Sequence, residues 1–167
     1  MKRPSLLQGL PPVVGLKSRL LVLGSFPSVA SLAAQQYYAH QRNQFWPIVA
    51  ALLQQPLADW PYAKRVACVQ NAGLAIWDVY AACHREGSLD AAIEDAEPND
   101  LAGWVAAYPT LKVIAHNGGE SARAMRVTQA LGLPVRRLPS TSPANASWSF
   151  ERKLAAWRLV FEEAEII

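Results

Sequence analysis

Cysteine is scarce in this chain. Cys68 and Cys83 are the only two, enough for one bridge at most and too few for an all-cysteine iron-sulfur cluster or a four-cysteine zinc site. Both are expected to be reduced thiols. The three histidines, His40, His84 and His116, are scattered, and the Cys83-His84 pair has no second pair at metal-ligand spacing, so neither a metal nor a cofactor is expected. Long apolar runs are missing too. The opening segment MKRPSLLQGLPPVVGLKSRL is broken by Pro11, Pro12 and Gly15, which leaves neither a signal-peptide core nor a membrane span and points to the cytoplasm. There is no GxxxxGK[ST] phosphate loop, and neither Ser25 nor Ser28 lies in a GxSxG nucleophile elbow. Internal repeats, low-complexity tracts and an interdomain linker are also absent.

What is present fits one globular domain, residues 1–167: the 167 residues are 51% hydrophobic and 17% charged, enough apolar material for a full core. A formal charge of +3 and a pI near 9.0 make a mild basic bias that suits a polyanionic partner without requiring one. The only adjacent basic pairs are Lys2-Arg3, Lys64-Arg65, Arg136-Arg137 and Arg152-Lys153. With no polybasic tail, contact with nucleic acid would have to come from a shaped site.

Four short apolar runs read as buried strands: Leu20 to Leu23, Leu74 to Trp77, Leu111 to Ala115 and Val135 to Leu138. Between and after them lie helical stripes through Phe45, Val49, Leu52 and Leu53; through Leu101, Trp104, Val105 and Tyr108; more loosely through Ala122, Met125, Val127 and Leu131; and through Phe150, Leu154, Trp157 and Phe161. Alternating strands and helices predict an α/β fold, a mostly parallel sheet with helices on both faces and a ligand site beyond the carboxyl ends of the strands. Those ends read Gly24-Ser25-Phe26-Pro27-Ser28, Asp78, His116-Asn117-Gly118-Gly119 and Pro139-Ser140-Thr141-Ser142-Pro143-Ala144-Asn145.

Each end has a functional and a plain reading. Gly24 lets backbone approach a ligand closely, or simply turns the chain. The hydroxyls and amide of LPSTSPANAS suit phosphate oxygens, or form a turn in which Ser147 or Ser149 caps a helix. The Asn117 amide offers a base edge both donor and acceptor, or is a satisfied loop residue. Asp78 points into a pocket or caps a neighbouring segment. The segment YYAHQRNQFW, residues 37–46, is dense in aromatic and hydrogen-bonding groups. Its Asn43 is either chemically active or the N-cap of the helix that follows, and Pro47 argues against a helix starting so early.

The order GSFPS, YYAHQRNQFW, LAIWDV, VIAHNGG, LPSTSPANAS resembles the uracil-DNA glycosylase superfamily, and within it the hypoxanthine (deoxyinosine) DNA glycosylase branch. GSFPS resembles the first family motif and LPSTSPANAS the second, with its DNA-gripping loop; Asn43-Gln44-Phe45-Trp46 is similar to the Asn-x-Phe-Trp run of the mismatch-specific branch. The resemblance implies a three-layer α/β/α fold around a four-stranded sheet and a monofunctional glycosylase acting as a monomer on DNA with damaged or deaminated bases. It implies catalytic roles for Asn43 and Asn117, a base pocket of Gly24, Ser25, Phe26, Tyr38 and Asp78, and DNA contacts from Ser28, Ser140, Thr141, Ser142, Pro143, Ala144 and Asn145, with a wedge within 144–147. Two positions depart from the family pattern. Phe26 stands where most branches carry a polar Asp or Asn, which moves the water-directing duty to Asn43, and Gln41 stands where a Pro is expected. No lysine lies in these motifs, so no Schiff-base step is expected. Alternative readings are a uracil or mismatched-thymine glycosylase, a non-catalytic module for damaged or single-stranded DNA, and a flavodoxin-like small-molecule binder.

Overall fold

The computed structural model describes residues 5–167; the basic pair Lys2-Arg3 lies outside them. The chain runs β1 (Leu6–Gln8), β2 (Leu20–Gly24), α1 (Val29–Ala34), α2 (Phe45–Leu53), α3 (Tyr62–Ala72), β3 (Leu74–Asp78), β4 (Tyr80–His84), β5 (Glu94–Pro98), α4 (Leu101–Ala106), β6 (Val113–Asn117), α5 (Gly119–Ala122), α6 (Met125–Gln129), β7 (Val135–Leu138) and α7 (Phe150–Glu163). The four strands expected from the apolar runs form one sheet in the order β3-β2-β6-β7. Every ladder in it is parallel, with Leu20 opposite both Leu74 and Val113 and Ile114 opposite Val135.

Burial on both faces explains why these strands read as continuous apolar runs. Leu20, Val22, Leu74, Ile76, Val113 and Ala115 face a core closed by Phe45, Ile48, Val49, Val69, Trp157 and Phe161. Their neighbours Leu21, Leu23, Ala75 and Ile114 face the opposite way, toward Leu101, Val105 and Leu111, with Met125 and Leu131 alongside. Helices thus cover both sides, α2, α3 and α7 on one and α4 and α6 on the other. No helix among the described residues is long and apolar enough to cross a membrane.

Four expectations need adjustment. The run Leu111 to Ala115 becomes a strand only from Val113 and continues through His116 to Asn117; Leu111 is buried before the strand begins. His116 can lie in the core because Ser121 Oγ and Thr128 Oγ1 meet its two ring nitrogens at 2.8 and 2.9 Å. The loose stripe from Ala122 is two short helices, α5 and α6, and Val127 is 52% exposed. Helix α2 does begin at Phe45. Pro47 is its third residue, still in the first turn, where backbone N–H groups have no helical partner. A second, antiparallel sheet, β1-β4-β5, has no counterpart in the apolar pattern.

Candidate active site

In the parallel sheet β2 lies between β3 and β6, so the connections leaving β2 and β6 diverge and open a crevice at their carboxyl ends. A cavity of about 790 Å³ lies there, and every residue expected in the site except Pro143 borders it. The exposed loop residue Pro143 faces elsewhere.

The centre of the cavity wall is a hydrogen-bonded bracket built on Asn117, the last residue of β6. Its Nδ2 donates to Tyr38 Oη at 3.2 Å and to Thr141 Oγ1 at 3.0 Å. Its Oδ1 accepts from Thr141 N at 3.0 Å. Both amide hydrogens of Asn117 therefore already have acceptors in the protein, which suits a strut better than a free donor to a ligand. Thr141, expected to touch DNA, is 1% exposed. It serves Asn117 through two atoms, and its carbonyl accepts from Gln44 N at 2.9 Å. The bracket thus ties β6, the 139–145 loop and the start of α2 together. At Gly118, φ is +94° and a Cβ would lie 2.9 Å from Ser140 Cβ, so the approach of this loop to β6 requires glycine.

Tyr38 occupies the left-handed region at φ 55°, a strained setting for a bulky residue that costs on the order of 1–3 kcal/mol. Phe45 stacks on its ring, with centroids 4.1 Å apart. Gly24 is the point of closest approach. A Cβ there would sit 2.5 Å from Asp78 Oδ1 and 3.1 Å from Tyr38 Oη. Phe26, 7% exposed, forms another wall, with the Arg85 guanidinium over its ring at 5.2 Å.

The N-cap of α2 is Gln44, whose side chain makes no capping bond, and not Asn43 as one reading of the sequence suggested. Asn43, one position earlier, borders the cavity, and its Oδ1 accepts from Phe45 N at 2.9 Å, which still caps an N–H of the first turn that has no helical partner. That bond fixes the carboxamide's orientation. One Oδ1 lone pair and the Nδ2 hydrogens have no protein partner among the described residues.

The serine hydroxyls are largely committed within the protein. Ser28 caps α1 by accepting from Ser31 N. Ser140 Oγ and Ser142 Oγ accept from Ser142 N and Ala144 N, and Asn145 Nδ2 donates to Ser140 O at 3.1 Å. These bonds brace the 140–145 loop and leave Pro143 and Ala144 exposed at its tip.

Asp78, at the end of β3, is 5% exposed and borders the cavity. Its Oδ2 is buried without a hydrogen-bond partner among the described residues. Burial first, then the nearby Asp90, push its carboxyl up to about 7, against a smaller opposing pull from Arg85. Burial and the charge of Asp78 also push the Tyr38 and Tyr37 hydroxyls far above their usual range.

Sequence reasoning missed the wall formed by Ser88, Leu89, Asp90 and Ala91, together with His40, Arg137 and Trp148. Residues 88–91 belong to the β4–β5 connection of the unforeseen sheet. Asp90 Oδ1 accepts from Ser25 Oγ at 2.6 Å, and Ser88 Oγ accepts from Val29 N at 2.9 Å. Trp148 carries the Arg152 guanidinium over its ring at 4.1 Å; an aromatic with a cation four residues on was the signal available for it.

The chain is similar to known proteins over nearly its whole length. A profile of the uracil DNA glycosylase superfamily matches residues 11–162. The chain is 35% identical to a hypoxanthine DNA glycosylase of Methanosarcina acetivorans over 154 residues, covering 92% of this chain and 97% of that protein. It is 32% identical to a hypoxanthine DNA glycosylase of Methanosarcina barkeri over 155 residues, covering 93% and 98%. A solution NMR structure of a Methanosarcina acetivorans protein, proposed to be a uracil DNA glycosylase, superposes with a TM-score of 0.86 at 34% identity, covering 96% of this chain and 99% of that one.

Proposed function

Since the chain belongs to the uracil DNA glycosylase superfamily, we propose that it is a monofunctional DNA glycosylase that hydrolyses the N-glycosidic bond of hypoxanthine in DNA. The observation that carries this reading is the convergence of Asn43, Tyr38 and Asp78 on one cavity of about 790 Å³, room enough for a purine. The names of the two Methanosarcina relatives support the choice of base. The chain acts as one domain and as a monomer on DNA carrying deaminated bases, in the cytoplasm, or at the nucleoid of a bacterial host.

The target nucleotide leaves the helix at a cost of a few kcal/mol. Its base lies against the face of Tyr38 that Phe45 does not cover, a contact of roughly 1–3 kcal/mol. The rigid stack beneath Tyr38 and the Asn117 bond to its hydroxyl keep that surface in place before the base arrives. Phe26 bounds the slot but does no polar chemistry.

As the bond from C1′ to N9 stretches, the sugar becomes positive and the base negative. A carboxamide takes no proton at neutral pH, so Asn43 acts by position. With its orientation held by the Phe45 N–H, the free Oδ1 lone pair and Nδ2 hydrogens orient a water toward C1′. Backbone N–H groups around Ser25 face the charge on the base. Asn117 is a positioning residue, and Ser140, Ser142, Ala144 and Asn145 form the loop that meets the DNA backbone. Arg137 and Arg152 add positive charge at the rim.

The test is base release from oligonucleotides carrying a single deoxyinosine, deoxyuridine or mismatched thymine, followed by chromatography of the free base. The expected result is free hypoxanthine, faster than any uracil or thymine, with an abasic and otherwise intact strand. Uracil release at a higher rate would make this a uracil glycosylase, and tight binding with no base released would make it a non-catalytic DNA-binding module.

A further inference from the structure

The mechanism above leaves one polar group of the cavity without a task, the carboxyl of Asp78. Resting on the glycosylase reading, we propose that Asp78 meets the flipped base as a neutral carboxylic acid and donates its O–H to an acceptor on the departing base.

Geometry comes first. Asp78 is 5% exposed, borders the cavity and has one oxygen buried with no hydrogen-bond partner among the described residues. A buried carboxylate is stable only when N–H groups or a cation compensate it; here no N–H among the described residues bonds it, and the pull of Arg85 is smaller than the effect of burial. The cation nearest in effect, Arg85, is turned to other work. Its Nη2 donates to Pro27 O at 2.6 Å and its Nε to Gly87 O at 2.7 Å, it lies over Phe26, and its Nη1 is buried with no hydrogen-bond partner among the described residues, so it makes no bond to Asp78. The remaining titratable neighbours make an anion worse. From the β4–β5 connection Asp90 adds negative charge, partly screened by its exposure, and is itself influenced by Glu120 of α5; Tyr37 and Tyr38 lie on the α1–α2 connection. Raised to about 7, the Asp78 carboxyl holds a proton over much of the neutral range, and bound DNA phosphates push the same way.

Gly24 keeps this acid beside the stacking surface, because the Oδ1 of Asp78 and the Oη of Tyr38 both crowd the position a Cβ would take. A base lying on Tyr38 therefore comes within reach of Asp78. Hypoxanthine offers two acceptors on one edge, O6 and N7. As the C1′–N9 bond breaks, its electron pair goes to the purine, and negative charge grows on both atoms. An ionised Asp78 would repel that charge, whereas the neutral acid donates to it, the use to which buried neutral carboxylic acids are put in other active sites. If the proton passes over completely, neutral hypoxanthine leaves, Asp78 is left as carboxylate, and solvent returns the proton; the attacking water loses its own proton to solvent on the sugar side.

The experiment is single-turnover release of hypoxanthine from a deoxyinosine oligonucleotide between pH 5 and 9, for the wild-type protein, Asp78→Asn and Asp78→Ala. The wild-type rate is expected to fall tenfold per pH unit above the titration of Asp78. Asp78→Asn keeps a weaker donor and loses the proton, so it should run about tenfold slower at pH 6 with no alkaline fall; Asp78→Ala should lose about 10²–10³-fold. A wild-type rate that rises through neutral pH, or an Asn variant with the wild-type profile, overturns the proposal. A wild-type protein that releases no hypoxanthine at any pH refutes the glycosylase reading beneath it. Should the variants fail to fold, ¹³C NMR titration of the Asp78 carboxyl in the wild-type protein decides: a midpoint near 7 supports the neutral acid, and one near 4 overturns it.

Discussion

Replacing Asn117 by alanine separates the strut that the structure reveals from the free amide that the sequence suggested. The substitution deletes the bonds to Tyr38 Oη, Thr141 Oγ1 and Thr141 N. The Thr141 N–H is then left without its acceptor in a residue 1% exposed, which costs about 1–3 kcal/mol. Each of the other two bonds contributes about 1 kcal/mol net, the 3.2 Å bond to Tyr38 less than the other. The expected loss is about 3 kcal/mol, or roughly 6–12 °C in Tm for a chain of this size. Urea unfolding of Asn117→Ala, Thr141→Val and the double variant measures it, and the cycle should show a coupling of about 0.5–1.5 kcal/mol. Base capture should weaken as well, because Tyr38 loses its anchor. If Asn117→Ala unfolds within about 0.5 kcal/mol of wild type with an additive cycle, while base release collapses, then Asn117 touches the base directly and the strut is wrong.

Three further predictions follow from the cavity wall. The raised carboxyl of Asp78, about 7 in the fold against 3.8 in the open chain, contributes stability that is complete below pH 4 and lost as pH rises to 7, at most about 4 kcal/mol. His116, lowered to about 4 by burial, contributes stability that is lost as pH falls over the same range, so the comparison to make is wild type against Asp78→Asn. Their melting temperatures should nearly coincide at pH 4.5, with the Asn variant ahead by several degrees at pH 8; a gap that does not change with pH would contradict the buried neutral acid. Gly24→Ala should drive Asp78 and Tyr38 apart, at a stability cost of about 1–3 kcal/mol and a loss of at least tenfold in base release, checked by urea denaturation and a single-turnover assay. Asn43→Ala should lose about 1 kcal/mol for the missing cap and, beyond that, base release by orders of magnitude; activity within a few-fold of wild type would leave Asn43 a cap and nothing more.

The parallel sheet was legible because strands buried on both faces must be apolar at nearly every position, as Leu20 to Leu23 and Leu74 to Ile76 are. Once the strands are parallel, their carboxyl ends share an edge, and Gly24, Asp78, Asn117 and Ser140 meet there by topology alone. Strand β5, Glu94-Asp-Ala-Glu-Pro98, is mostly exposed, and helix α3 buries only Val69 fully. Strand β5 has no face that periodicity could reveal, whereas α3 carries Tyr62, Val66 and Val69 at helical spacing against the core, a stripe that was legible in the sequence and that sequence reasoning missed. With β5 hidden, the β4–β5 connection had no visible reason to lie over the cavity, and Asp90 was missed. The Asn117 bracket was out of reach for a different reason. It joins residues 79 and 24 positions apart, and an amide's partners at that separation are set by packing.

The most direct test of the account is a crystal structure of the Asn43→Ala variant bound to duplex DNA carrying one deoxyinosine. The expected structure holds an intact nucleotide turned out of the helix, its base against Tyr38 within hydrogen-bonding distance of Asp78, and its C1′ facing the space left by the Asn43 carboxamide. An inosine still stacked in the duplex, or a base lodged anywhere other than this cavity, would contradict it.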